Sequence, residues 1–344
     1  MVSLQKIISS NAQLPSTLPP GLVAVFVGGT SGIGAETLKA FAKHTVKPRA
    51  YIVGRSQVAA DLFIAECHAL NSEGSYIFIQ ADISLLRVVD EVCEQIKNRE
   101  SEVNLLYLSQ GTPNLDRTET PEGLNYLTSL LHTSRTRFIT NLFPLLQPFT
   151  TPTRLSSSSL SSSYPSIHRV ITIAAAGFEG PLDKSDLEAF HISPTQIRGH
   201  MASLISLTLI SLGQRAPNVS FIHSYPGAVD TPLSRRLLEI AGGNAGMVVG
   251  IEEWMSAEES GERHLFLGTS GRYPSRKGPD SAAGDVGAIM GIDGVAGSGV
   301  YSVGAHGETV STEAREFLAG LREQGLVEKV QAHTEGLIGR LIGA

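Results

Sequence analysis

The sequence predicts an α/β fold: a doubly wound parallel sheet in a single domain, followed by a C-terminal helical extension. Three observations carry that expectation. Short apolar runs alternate with segments of helical periodicity, and the first run ends in a cluster of glycines. The runs are apolar throughout rather than alternating, as strands of a parallel sheet with right-handed crossovers are when both faces are buried. With 344 residues, 42% of them hydrophobic, the chain is long enough to bury a sizeable core.

The elements follow in order. LVAVFVGG, from Leu22 to Gly29, reads as a strand, and GIGAETLKAFAKH after it as a helix. The pattern returns with AYIVGRS (Ala50 to Ser56) and a helix from Val58 to Leu70, then with YIFIQADIS (Tyr76 to Ser84) and a helix from Val88 to Lys97. VNLLYLSQG (Val103 to Gly111) precedes a helix ending in FPLLQPF, and HRVITIAAAG (His168 to Gly177) precedes the long apolar helix SPTQIRGHMASLISLTLISLG. VSFIHSYPG (Val219 to Gly227) closes the series. Residues 1–20 form an N-terminal extension, 21–267 the sheet domain, and 268–344 a Gly-rich segment with helices; GVYSVG within it is a candidate edge strand. The Ser-rich stretch 151–166 cannot bury a core and is expected to be a surface insertion.

Bulk properties exclude several function classes. A formal net charge of −6 argues against a polyanion as partner, since phosphate backbones are held by clustered Lys and Arg, so no nucleic acid is expected. No run approaches the roughly 20 apolar residues of a membrane span. The N-terminus matches a secretory signal poorly, so a cytoplasmic protein is expected. The two cysteines, Cys67 and Cys93, are too few for a disulfide framework, and the histidines show no HxxxH or HExxH spacing, so no metal is assigned.

The chemistry begins at VFVGGTSGIGAET, where Gly28, Gly32 and Gly34 stand at G-x-x-x-G-x-G spacing between a strand and a helix. Glycine serves where the backbone turns tightly and approaches a pyrophosphate, and the helix start offers free N–H groups to that anion, as in a Rossmann-type dinucleotide site. Some twenty residues on, an NAD binder carries an acid for the ribose hydroxyls. This chain has Gly54, Arg55 and Ser56 there, and a guanidinium suits a 2′-phosphate, so NADP(H) is the expected cofactor.

These residues carry a family resemblance. Over Leu22 to Leu238 the chain resembles the short-chain dehydrogenase/reductase superfamily, with VGGTSGIG similar to that family's TGxxxGIG. The resemblance extends cofactor contact to Thr30, Ser31 and Ile33 between the glycines, and ADIS implies Asp82 and Ile83 at the adenine. LSQG stands where the family has NAG, implying Ser109 and Gly111 under the adenine ribose, with the Asn replaced. YPGAVDT resembles the loop that meets the nicotinamide carboxamide and implies Pro226, Gly227, Val229 and Thr231. TSRTRFITNLFPLL, IRGHMASLISL, GERHLFLGTSGRYP and LVEKVQAHT are similar to a divergent fungal group attached to specialised metabolism. A homodimer through a four-helix interface is implied as well, with the apolar helix from Met201 to Leu212 between the sheet and a partner subunit.

The catalytic apparatus of that family is missing. Its Ser falls on Ala175, beside Ala174; its Tyr falls on Gln196 or Ile197, and its Lys on His200 or Met201. Its Asn falls near Leu131 and His132. His200 as acid or base, Gln196 as a hydrogen-bond donor and Arg198 as an anion partner are the replacement candidates. Three functions remain open for a small-molecule substrate. They are an NADPH-dependent reductase of a carbonyl or conjugated alkene, a non-redox cyclase, isomerase or dehydratase, and a catalytically silent nucleotide-binding protein.

Overall fold

The structure, a computed structural model, describes residues 1–147, 166–240, 242, 254–277 and 287–343. Seven parallel strands form one sheet in the order β3-β2-β1-β4-β5-β6-β9. They are β1 (Val23–Val27), β2 (Arg49–Gly54), β3 (Ser75–Gln80), β4 (Leu105–Leu108), β5 (Arg169–Ile173), β6 (Ser220–Ser224) and β9 (Val300–Val303). The chain reverses its winding between β1 and β4, which opens a crevice at the carboxyl ends of those strands. Two short strands, β7 (Ala228–Val229) and β8 (Trp254–Met255), pair apart from the sheet.

Alternation along β1 shows why both faces are covered. Val23, Val25 and Val27 join one hydrophobic cluster, while Ala24 and Phe26 join another. Helices α5 (Leu86–Lys97), α7 (Ser134–Leu146) and α8 (Ile197–Arg215) contribute to the first cluster, and α3 (Gly32–His44) to the second. Helix α4 (Gln57–Leu70) packs on α3 and places Cys67 in the second cluster.

The second face carries elements that sequence periodicity did not announce. Helix α10 (Ala257–Thr269) starts at Ser256, whose hydroxyl accepts from the Glu259 amide at 3.1 Å, with Glu258 and Glu259 in its first turn. It lies flush on α3 because Gly261 carries no side chain; a Cβ there would stand 2.6 Å from the Glu36 carbonyl. Its carboxyl end is held by buried Arg169, whose Nη1 donates to the carbonyls of Leu267 (3.0 Å) and Ser270 (2.6 Å). The N-terminal extension folds as α1 (Leu4–Asn11) and α2 (Leu14–Thr17) and docks on α10, where Asn11 Nδ2 donates to Glu262 Oε2 at 2.7 Å.

The 268–344 segment supplies more than an appendage. GVYSVG contributes β9, the seventh strand of the sheet, paired with β6. Beyond it, α11 (Thr312–Glu323) and α12 (Leu326–Ile342) lie against α8. Every residue of α8 from His200 to Gly213 is buried within the single chain. Helix α12 packs on α8, tied down by Ser211 Oγ donating to Gln331 Oε1 at 2.7 Å and by the Arg215–Glu335 ion pair at 2.8 Å. The Ser-rich stretch 151–166 lies, but for Ser166, outside the described residues.

Leu318 of α11, 1% exposed, belongs to the cluster that buries α8. Leu318→Ala is expected to cost about 2–5 kcal/mol, as buried leucine truncations do, read as a lowered midpoint in urea unfolding.

Candidate functional site

A cleft opens where the sheet reverses its winding, lined by Gly28, Thr30 to Gly34, Gly54, Arg55, Asp82, Ile83, Ser109, Gly111 and Thr231 among others. Each glycine of the loop has its own reason. Gly28 takes φ +82°, and a Cβ there would sit 2.9 Å from the Gln110 amide nitrogen. At Gly34 a Cβ would meet the Gly28 carbonyl at 2.7 Å and run into the Ser109 hydroxyl. Gly32 takes φ +55° against the Thr231 side chain. The loop therefore needs its glycines for its own closure, before any ligand is considered.

The helix beyond the loop is left open to an anion. Ser31, at the N-cap of α3, makes no side-chain capping bond, and the first turn holds no acid. By contrast Ser56 is used up as a cap: its Oγ accepts from the Ala59 amide at 3.2 Å at the start of α4, and it does not line the cleft. Arg55 is exposed at the rim, its Nη1 donating to the Tyr126 hydroxyl at 3.3 Å across the cleft. Asp82 Oδ1 accepts from the Ser84 amide and hydroxyl at 3.1 and 2.8 Å. Ser109 Oγ donates to the Val27 carbonyl at 2.9 Å, joining the glycine loop to the end of β4.

The YPGAVDT loop enters the cleft only at its end. Thr231 lines it, followed by Pro232 and Leu233 at the start of α9 (Pro232–Ile240). Pro226, Gly227 and Val229 are not among the lining residues; Gly227 turns at φ +79° and Val229 is buried in β7. Sequence reasoning missed Gln110, Tyr126, Leu130 and Ile173, which also line the cleft. Tyr126 belongs to a three-residue helix, α6 (Tyr126–Thr128), whose position only the folded chain reveals.

Around the reacting position the candidate residues lie in different surroundings. The Ala174 amide donates to the Ser224 carbonyl at 2.8 Å, so the alanine pair follows directly on β5 with no hydroxyl to offer. Gln196 is exposed and accepts from Ser193 Oγ at 2.8 Å. His200 is fully buried, faces the Leu187 carbonyl at 3.4 Å and lies outside the cleft lining. Burial holds its pKa below the ordinary histidine value. Burial thus favours the neutral ring, and Nδ1 is buried without a hydrogen-bond partner among the described residues.

Where the family keeps its Asn, the chain forms a π-helical turn, Ser129–Thr133, before α7. One turn on, Arg135 is buried among strand ends: Nη1 donates to the carbonyls of Leu108 (2.9 Å) and Ile173 (3.0 Å), and Nη2 to Gln110 (2.5 Å). Burial pushes its pKa down to about 9, so it stays charged at neutral pH. Among the described residues no three His, Cys, Asp or Glu side chains group as a metal site, and no helix is long and apolar enough to cross a membrane.

Comparison with known proteins decides the family. A family model described as short chain dehydrogenase matches residues 22–131. The chain is 37% identical to "Oxidoreductase AN1596" of Emericella nidulans, over 99% of both chains. It is 34% identical to "Short-chain dehydrogenase/reductase SAT2" of Stachybotrys chartarum over 67% of each. The chain is a short-chain dehydrogenase/reductase. A solved Serratia marcescens short-chain dehydrogenase/reductase superposes with a TM-score of 0.53 at 15% identity, over 83% of this chain and 98% of that one, a likeness of fold. This short-chain dehydrogenase/reductase is thus an oxidoreductase by family that lacks the family's Tyr, Lys and Ser.

Two predictions follow from the geometry. Gly34→Ala forces a methyl against the Gly28 carbonyl and Ser109, and is expected to cost about 1–3 kcal/mol in urea unfolding. The second concerns pH. Burial depresses His132 and His223 to about 3 and His264 to about 4, so the folded chain refuses protons that the unfolded chain accepts below 6.5. Glu262 acts in the same direction: burial opposes its charge, but hydrogen bonds from His44 and Asn11 outweigh this and draw it down to about 2. Stability is therefore expected to be full above 6.5 and to fall with pH below it. Each histidine contributes at most about 1.4 kcal/mol per pH unit, and Glu262 adds its share below its ordinary 4.5. Urea midpoints measured from neutral to acidic pH check this; a flat profile would show that these histidines are not held neutral.

Proposed function

We propose that this short-chain dehydrogenase/reductase binds NADP(H) and reduces a carbonyl or conjugated alkene of a small molecule in specialised metabolism. The observation that carries the reading is the cleft's donor set. The uncapped start of α3 presents free N–H groups beside the glycine loop, Arg55 stands at the rim, and no acid follows β2 to repel a 2′-phosphate. These residues fit a dinucleotide phosphate. Gly32, Ile33 and Gly34 would hold the pyrophosphate, Arg55 the 2′-phosphate, Asp82 and Ile83 the adenine, and Ser109 and Gly111 the ribose. Pro226, Gly227, Val229 and Thr231 would stand on the nicotinamide side.

When bound, the cofactor supplies the hydride, so the protein's part is to bind, orient and exclude water. With alanines after β5, and His200 buried away from the cleft, the reading assigns protonation to water or to the substrate itself. The resemblance of the phrases from TSRTRFITNLFPLL to LVEKVQAHT, and the 37% identity to a fungal oxidoreductase, support the placement in specialised metabolism. A second reading, non-redox cyclisation, isomerisation or dehydration on the same scaffold, is favoured by the joint loss of Tyr, Lys and Ser.

Fluorescence titration with NADPH and NADH tests the first reading. Arg55→Ala is expected to weaken NADPH by about tenfold or more while leaving NADH unchanged, the loss of one charge-assisted contact. Failure of both nucleotides to bind the unaltered protein would remove the reductase reading and leave the non-redox one.

A further inference from the structure

Arg198 occupies an unusual place. It lies in the first turn of α8, where the helix already presents positive N–H ends and no acidic residue relieves them. Among the described residues it makes no ion pair. Its guanidinium carbon stands instead 3.5 Å from the centroid of the Phe178 ring and 5.3 Å from that of Tyr225. The two rings meet edge to face at 4.8 Å and 71°, so the cation rests on an aromatic corner.

The corner is built by close backbone packing. The loop after β5 lies flush on α8 where Gly180 meets Gly199; a Cβ on either would stand 3.0 Å from the other's Cα. The Gly180 amide donates to the Gly199 carbonyl at 3.1 Å, which fixes Phe178 two residues earlier beside Arg198. Nearby acids are engaged elsewhere. Asp183 accepts from Ser185, Asp186 from the amides of Phe190 and His191, and buried Glu179 from Ser206.

The corner is joined through the backbone to the reacting position, although Arg198, Phe178 and Tyr225 are not themselves among the residues that line the cleft. Tyr225 follows Ser224 directly, and the Ser224 carbonyl accepts from the amide of Ala174, one of the two alanines where the family keeps its catalytic Ser. Ile173, the preceding residue, lines the cleft. We infer that Arg198, stacked on Phe178 and Tyr225, binds the carboxylate of an organic-acid substrate and orients it beside the cleft. The inference rests on the reductase reading for what happens to the substrate, but not for the binding itself. A guanidinium presents a planar fork of donors matched to a carboxylate, and stacking holds that fork in place before the ligand arrives.

The test is calorimetric titration of the full chain, with and without NADP+, using 2-naphthoate and its uncharged counterpart 2-naphthamide. The expected result is that naphthoate binds at least about tenfold more tightly than the amide, and that Arg198→Ala abolishes the difference. Arg198→Lys keeps the charge but loses the fork, and is expected to retain part of the preference. Circular dichroism and NADPH affinity, both expected to be unchanged in the variants, report on folding and on the cofactor cleft. Equal binding of acid and amide, or naphthoate binding indifferent to Arg198→Ala, would overturn the inference. So would a loss of NADPH affinity in that variant with naphthoate binding intact, because Arg198 would then serve the cofactor. If NADPH does not bind at all while naphthoate binding still depends on Arg198, the reductase reading falls and the carboxylate site stands.

Discussion

The carboxyl ends of β4 and β5 are held by one buried cation. Strands of a parallel sheet end in carbonyls with no further residue of the ladder to receive them. Arg135 answers three of them at once, those of Leu108, Ile173 and Gln110. A charge taken wholly out of water is tolerable only when it is hydrogen-bonded; Nη1 and Nη2 meet that need at the strand ends, while the buried Nε has no partner among the described residues. Gln110 and Ile173 line the cleft, and Ala174 and Ala175 follow on, so the shape of the site inherits the position of this side chain.

What was legible in the sequence is what depends on local pattern. Strands β1, β4, β5 and β6 fall within the apolar runs, β2 and β3 begin one residue ahead of theirs, and the loop of Gly28, Gly32 and Gly34 joins β1 to α3 as its spacing implies. The cause of the glycines was only half legible. Spacing points to an approaching pyrophosphate, whereas Gly34 is also obliged to be glycine by the Gly28 carbonyl and Ser109, a contact across 75 positions of chain. Helix α10 escaped notice because its sequence mixes charged and apolar residues, and its burial comes from partners distant in sequence: Asn11, Glu36 and Arg169. Tyr126 and Arg135 escaped for the same reason, since nothing within a few residues of either says that it will face the cleft or the strand ends.

The first turns of α8 show how chemistry and packing separate. The helix keeps its buried length from His200 to Gly213, yet the positions matched to Tyr and Lys hold residues of other kinds. A histidine in such a place reads as an acid or base when only its neighbours in sequence are known. Its surroundings add that burial favours the neutral ring and that Nε2 faces the Leu187 carbonyl. Arg198, two residues earlier and by sequence a candidate anion partner, is laid across two rings.

Helix α12 bears on how the chain meets its surroundings. Apolar helices that rely on a second copy for cover lose it on dilution, because association obeys mass action while intramolecular contact does not. In this chain the cover arrives on a tether, with Ser211 bound to Gln331 and Arg215 to Glu335. Part of the cover over α8 is thereby held at a local concentration set by the chain itself.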